Sequence, residues 1–127
     1  MVKIVCKLPA LFISGMIWFL SSQRVLPVPK GILGFDKVQH LLAYGALAGA
    51  LGLWFSLNQW KKKPFRCMVW VMSIAAVYGI SDEIHQAFVP GRDCNVWDWL
   101  ADTLGAVIGA GLVMVSARKL EPIPPGS

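Results

Sequence analysis

FRCMVWVMSIAAVYGISDEIHQAF, residues 65–88, is apolar through most of Phe65 to Ile80 and polar from there on. Phe65 to Ile80 reads as a membrane span whose helical pattern continues toward Phe88, near the ~20 residues that ~30 Å of hydrocarbon requires. Six of the nine residues from Tyr78 to Gln86 are polar or aromatic-polar. An unpaired carboxylate inside a membrane costs several kcal/mol, so Asp82 and Glu83 should face a bundle interior or a wet cavity. The bland alternative is that the chain has already left the hydrocarbon and this is an ordinary amphipathic helix end.

The rest of the chain reads the same way. Of its 127 residues 56% are hydrophobic and 15% charged, and the mean hydropathy is +0.58. A soluble domain of this length needs more polar surface, so a single membrane domain over 1–127 is expected. The net charge of +5 has no basic stripe on a polar surface to carry it, which excludes nucleic acid as a partner. Cys6, Cys67 and Cys94 are too few and too scattered for a disulfide framework or a zinc site.

Four spans follow, at about 4–22, 38–57, 65–86 and 96–116, giving an all-α bundle of four transmembrane helices. Lys3 and Lys7 ahead of an apolar core give the first the look of a signal peptide, but no small-x-small cleavage site follows, so the helix should be retained. Pro27 and Pro29 in the stretch Leu26–Gly34, the basic run Lys61–Lys63 and the turn Pro90-Gly91-Arg92 separate the spans. The tail from Glu121 is Pro-rich. With both termini on one side, that side holds Lys3, Lys7, Lys61, Lys62, Lys63, Arg66, Arg118 and Lys119; the other holds only Arg24, Lys30, Lys37 and Arg92. The Lys/Arg excess belongs in the cytoplasm, so both termini are expected there. Trp54, Trp60, Trp97 and Trp99 fall near span ends, where an aromatic belt is expected.

Acids are distributed the opposite way. Asp36, Asp82, Glu83, Asp93, Asp98 and Asp102 lie on the extracytoplasmic side, and only Glu121 does not. Asp36, His40 and Tyr44 recur every fourth residue and form one stripe down the second helix, with Lys37 starting its neighbour. Interfacial anchoring would explain Asp36 and Lys37; His40 and Tyr44 lie deeper and need partners. On the third helix Tyr78, Ser81, Asp82 and His85 share a face, with Glu83 and Gln86 on its flanks. On the fourth, Asn95, Asp98 and Asp102 line a face that Gly105 and Gly109 continue. Gly105-x-x-x-Gly109 and Gly45-x-x-x-Gly49 permit close helix approach. Arg92 is the natural counter-charge for the acids.

Asp36-Lys-x-x-His40-x-x-x-Tyr44, Tyr78-Gly-x-Ser81-Asp82-Glu83-x-His85-Gln86, Phe88-x-Pro90-x-Arg92 and Asp98-x-x-x-Asp102-Thr-Leu-Gly105 stand here in order. Together they resemble the VanZ-like family of small bacterial membrane proteins, over about residues 10 to 112. Ser22-Gln23 also matches that family's pattern, whereas Asp102 departs from it, since Asn is frequent there. The resemblance implies a multi-pass protein of the bacterial plasma membrane, with four helices. It also implies a link to the cell envelope, because the family is named for a member tied to low-level resistance to the lipoglycopeptide antibiotic teicoplanin.

Three functions fit these residues. The first is binding or modification of an amphiphilic cell-envelope molecule, a lipid-linked intermediate or a lipoglycopeptide, at a polar pocket open to the outer face. Its ligand-binding candidates are Gln23, Asp36, Lys37, His40, Tyr44, Tyr78, Ser81, Asp82, Glu83, His85, Gln86, Arg92, Asp98 and Asp102. The second is an intramembrane hydrolase or transferase acting on lipids. There His40 or His85 would be general base or metal ligand, Asp82 or Glu83 would orient it, and Arg92 would stabilise developing charge. Histidines with carboxylates suit a hard cation or zinc, though no local His pair specifies a metal. The third is a small transporter, which at this size would have to form a homo-oligomer.

Overall fold

Local signals set each helix boundary. The computed structural model describes residues 2–24 and 34–120. The loop carrying Pro27, Pro29 and Lys30 and the tail from Glu121 lie outside the described residues. Helix α1 (Val2–Val5) is separated by Cys6 and Lys7 from α2 (Leu8–Ser21), so the first apolar stretch is not one continuous helix. Pro9 sits in the first turn of α2, where its missing N–H costs no helical hydrogen bond. Helix α3 (Phe35–Gly52) starts after Gly34, whose φ of 88° is one that side-chain-bearing residues rarely adopt. It ends at Gly52, short of the expected Leu57.

Past that end lies a helix where the sequence suggests only a basic loop. Helix α4 (Leu57–Lys62) is closed by a capping box: the Gln59 backbone N–H donates to Ser56 Oγ at 3.2 Å and the Ser56 N–H donates to Gln59 Oε1 at 2.8 Å. Helix α5 (Pro64–Ala87) begins on a proline. Helix α6 (Val96–Lys119) is capped by Asn95, whose Oδ1 accepts from the Trp97 N–H at 3.0 Å, and it ends on Arg118 and Lys119, which suit the helix dipole. The described residues contain no strand.

Helices α3 and α6 form the tightest seam. Gly105 lies against the Leu41 carbonyl and Gly109 against the Gly45 carbonyl, so closely that a Cβ on either would collide with backbone. On α3 the expected glycine pair is only half used: Gly45 meets Gly105, while Gly49 faces open space and Gly52 packs on Val113.

The interior is built from small side chains, with Ala48, Ala75, Ala106 and Ala110 essentially fully buried. Large apolar residues point outward instead; Leu42, Val77 and Leu112 are 64%, 67% and 65% exposed. Water would not tolerate so wide an apolar exterior, whereas lipid requires it. Helices α5 and α6 are each long and apolar enough to cross a membrane. Helix α3 has 18 residues but is not among them, and its first turns carry Asp36, Lys37, Gln39 and His40. Trp54 and Trp97 stay exposed, as a belt needs. Trp60 does not: it is buried and its Nε1–H donates to the Gly52 carbonyl at 2.9 Å. Trp99 is half-buried, with Nε1–H donating to the Ala76 carbonyl at 3.2 Å.

Candidate functional site

The start of α3, the end of α5 and the start of α6 bring their polar residues to one end of the bundle. His40 Nδ1 and Asp102 Oδ1 are 2.8 Å apart, and Asp102 is wholly buried. When the Asp102 carboxylate is ionised it can only accept, and Nδ1 is then the donor. Lys37 Nζ donates to Asp36 Oδ2 and to Asp98 Oδ1, each at 2.8 Å. Glu83 Oε2 accepts from the Asn95 backbone N–H at 2.8 Å, tying α5 to the start of α6. Gln86 Nε2 donates to Asp82 Oδ2 at 3.2 Å and to Ser21 Oγ at 3.5 Å.

Four carboxylates, Asp82, Glu83, Asp98 and Asp102, are therefore buried at this end. Their needs are not all met. Tyr44 Oη, Asp82 Oδ1, Glu83 Oε1 and Asp102 Oδ2 are buried without a hydrogen-bond partner among the described residues. Such atoms are costly in a closed interior and favoured where a ligand or ion supplies the partner. Gly79 makes room for this crowding: a Cβ there would press on Asp102 Oδ2, the Trp99 ring and the Tyr44 ring. Lys37 and His40 stand at the rim, with side chains 38% and 13% exposed. Outside the expected span, the Lys37 ammonium holds the Asp36 carboxyl below its usual range, and Asp36 and then Asp98 raise Lys37 above its own.

Several expected members lie elsewhere. Arg92 meets no carboxylate among the described residues. Its Nε donates to the Gln23 carbonyl at 3.2 Å and its Nη2 to the Leu20 carbonyl at 3.1 Å. The negative end of the α2 dipole attracts a cation, and the Leu20 carbonyl takes the arginine in addition to the Gln23 N–H at 3.1 Å, while Lys37 serves the acids instead. The Gln23 side chain turns back onto the Phe19 carbonyl at 3.2 Å. His85 stacks on Trp18, with centroids 3.9 Å apart and planes 3° from parallel, and its Nε2 is 3.4 Å from Ser22 Oγ. Ser81 is exposed and bonded to the Tyr78 carbonyl at 2.7 Å. Tyr78 Oη donates to the Ser14 carbonyl, while its ring lies 6.2 Å from that of Tyr44. The buried face of α5 thus runs through Gly79, Asp82, Glu83 and Gln86, not through Tyr78, Ser81 and His85.

Ser21, Trp18 and Asn95 join these networks without having been singled out as site residues. Asn95 carried a signal, standing three residues before Asp98 on the same face. Trp18 and Ser21 carried none, because their partners are on α5. His40, Glu83 and Asp98 are the described residues grouped closely enough to hold a metal ion. At the opposite end, a cavity of about 270 Å³ is lined by Phe55, Gln59, Lys62, Lys63, Arg66 and Trp70, among others.

A family model described as VanZ/LLP1 matches residues 5–117. No curated protein and no solved structure matches the chain. The match covers most of the sequence, so the chain belongs to the VanZ/LLP1 family, and its helices α5 and α6 are of a length and apolarity that suit a membrane.

Proposed function

We propose that this VanZ/LLP1-family chain binds the polar head of an amphiphilic cell-envelope molecule at the end holding His40, Glu83, Asp98 and Asp102. It crosses the bacterial plasma membrane four times with both termini cytoplasmic, so the site faces the outer leaflet. The observation that carries this reading is the set of buried, unpartnered carboxylate and phenol oxygens inside a bundle whose outside is apolar. A ligand with a hydrogen-bonding head and an acyl chain satisfies both surfaces at once. With Arg92 engaged by α2 and acids in surplus, the head is recognised through hydroxyl and ammonium donors. A lipoglycopeptide such as teicoplanin or the sugar of a lipid-linked wall intermediate carries such groups, which would connect the site to antibiotic resistance.

The test is binding of fluorescent teicoplanin to the purified chain in nanodiscs, compared with its deacylated core. The acylated probe should bind more tightly, and Glu83→Gln and Asp98→Asn should each weaken it about 10-fold, about 1.4 kcal/mol. Equal, unaltered binding by wild type and both variants would remove the site from the ligand's path.

A second reading, an intramembrane hydrolase or transferase, is favoured by one contact. A buried carboxylate fixing Nδ1 of His40 leaves Nε2 free as a general base, the arrangement of a base with its orienting partner. Turnover of a lipid-linked substrate that disappears in His40→Gln while binding persists would establish catalysis.

A further inference from the structure

We propose that His40, Glu83 and Asp98 bind one divalent transition-metal cation, of the zinc or manganese class. This deepens the site just described by giving it a cofactor, and it rests on the same end of the bundle being functional.

Each of the three residues offers one donor atom, and those atoms all lie within 4.8 Å of one another. Donors about 2.1 Å from a shared ion stand at most about 4.2 Å apart, so carboxylate rotation of under about an ångström closes the set. Glu83 supplies an independent reason for a ligand. It is 4% exposed, yet its Oε1 has no hydrogen-bond partner among the described residues. In the tautomer with the proton on Nδ1, Asp102 Oδ1 at 2.8 Å accepts its hydrogen bond and the Nε2 lone pair is free for coordination. A metal-ligating histidine ordinarily has such a carboxylate behind it, fixing the tautomer and raising basicity.

Charge points the same way. Glu83, Asp98 and Asp102 are all buried with Asp82, and among the described residues the ammonium set against them is that of Lys37. That ammonium already bridges Asp36 and Asp98 at 2.8 Å each, so it keeps Asp36 as a partner when Asp98 turns to an ion. An imidazole with two carboxylates selects the borderline first-row cations over Mg²⁺ and Ca²⁺, which prefer all-oxygen shells of six or more ligands. Open positions on the ion would accept a hydroxyl or phosphoryl oxygen of the bound head.

Metal alone is the probe. The full chain, without a polyhistidine tag and with Cys6→Ser and Cys94→Ser to remove accessible thiols, is titrated in detergent with Zn²⁺ and with Mn²⁺. Retained metal is then counted after dialysis. About one ion per chain is expected, with affinity lowered at least ~10-fold in His40→Ala, Glu83→Gln and Asp98→Asn, and lowered roughly 10–100-fold in Asp102→Asn. Helix content by circular dichroism identifies any variant that fails to fold, and the wild-type titration then decides by itself. No stoichiometric binding of either ion by the folded wild type overturns the inference, as does binding unchanged in Glu83→Gln and Asp98→Asn. Teicoplanin binding that persists in a chelator, in a chain that takes no metal, removes the ion but leaves the amphiphile site. Stoichiometric metal without teicoplanin binding does the reverse.

Discussion

The two ends of the bundle treat charge in opposite ways. At one end, Asp82, Glu83, Asp98 and Asp102 are drawn inside and held by His40, Lys37, Gln86 and the Asn95 backbone. At the other, Lys62, Lys63 and Arg66 are left exposed, and Lys61 rests on the Leu120 carbonyl. Exposed cations at a membrane end cost little, since headgroups and water solvate them and their stems lie along apolar surface. Buried carboxylates cost several kcal/mol each and persist only when the surrounding structure holds them. The basic end therefore needs no function beyond orientation. The acidic end does.

Removing a buried partner should break this contrast most severely. Asp102→Ala strips Nδ1 of His40 of its acceptor and leaves a void beside Tyr44 and Trp99, so it should destabilise the chain by about 3 kcal/mol in a detergent melt. Asp102→Asn keeps an acceptor oxygen and relieves the repulsion among the acids, so it should cost well under half of that. If Ala and Asn behave alike, the buried charge rather than the hydrogen bond governs this end.

The seam beneath the cluster gives the next largest effect. Gly105→Ala drives a methyl group into the Leu41 carbonyl, where backbone cannot step aside, and should cost about 1–3 kcal/mol. Gly49→Ala on the facing helix meets open space and should be neutral or slightly stabilising, since Ala is the better helix former by about 1 kcal/mol. Reversal of that order would mean that α3 and α6 pack through a different face.

The four long helices were legible in the sequence, and so was the facing of α6, where Asp98, Asp102, Gly105 and Gly109 are buried; the facing of α5 was not. The apolar stretches mark α2, α3, α5 and α6, and Pro9, Gly34, Pro64 and Asn95 start them where local chemistry says they should. On α5, counting from Tyr78 selects Ser81, Asp82 and His85, of which only Asp82 is buried. The packed face lies one residue further round, through Ala75, Gly79, Asp82, Glu83 and Gln86. Tyrosine, serine and histidine satisfy themselves on nearby carbonyls or aromatic rings, so polarity alone does not tell which face is inside; the small residues Ala75 and Gly79 do. Arg92 was misplaced for a related reason. Its nearest acids are close in sequence, but the carbonyls that bind it belong to α2 and its end, 69 and 72 positions away. The basic run also hides α4, although Ser56-x-x-Gln59 is a readable capping box.

Between the extremes stands Asp36, acidic but exposed, with its side chain 56% accessible. Asp36→Asn should cost no more than about 0.5 kcal/mol, because solvent screens the pair with Lys37. Its folded carboxyl titrates below the ordinary value, so the contribution is complete above the unfolded carboxylate range. It is lost as pH falls through the lowered folded value. Melts of wild type and variant should converge in strong acid and separate slightly toward neutrality. A gap that widens in acid would mean that the substitution disturbs the first turn of α3 rather than the ion pair.

The smallest change in stability is expected at the basic end, where Lys62→Ala with Lys63→Ala should stay within about 0.5 kcal/mol. What those lysines are expected to govern is orientation, which native cysteines test only in part. Cys94 is exposed, but Cys67 is buried, so its failure to react with an impermeant maleimide says nothing about its side of the membrane. Lys62→Cys, in a chain with Cys6→Ser, puts an accessible thiol at that end instead. In intact cells Cys94 should be labelled and the thiol at position 62 should not, until the cells are opened. Labelling at 62 with Cys94 protected would place the acid cluster in the cytoplasm, and an outer-leaflet ligand would no longer reach it. Labelling of both in intact cells would mean that the lysines do not hold one orientation. Adding Lys63→Ala and Arg66→Ala should then increase the mixed fraction, because fewer positive charges remain to resist translocation.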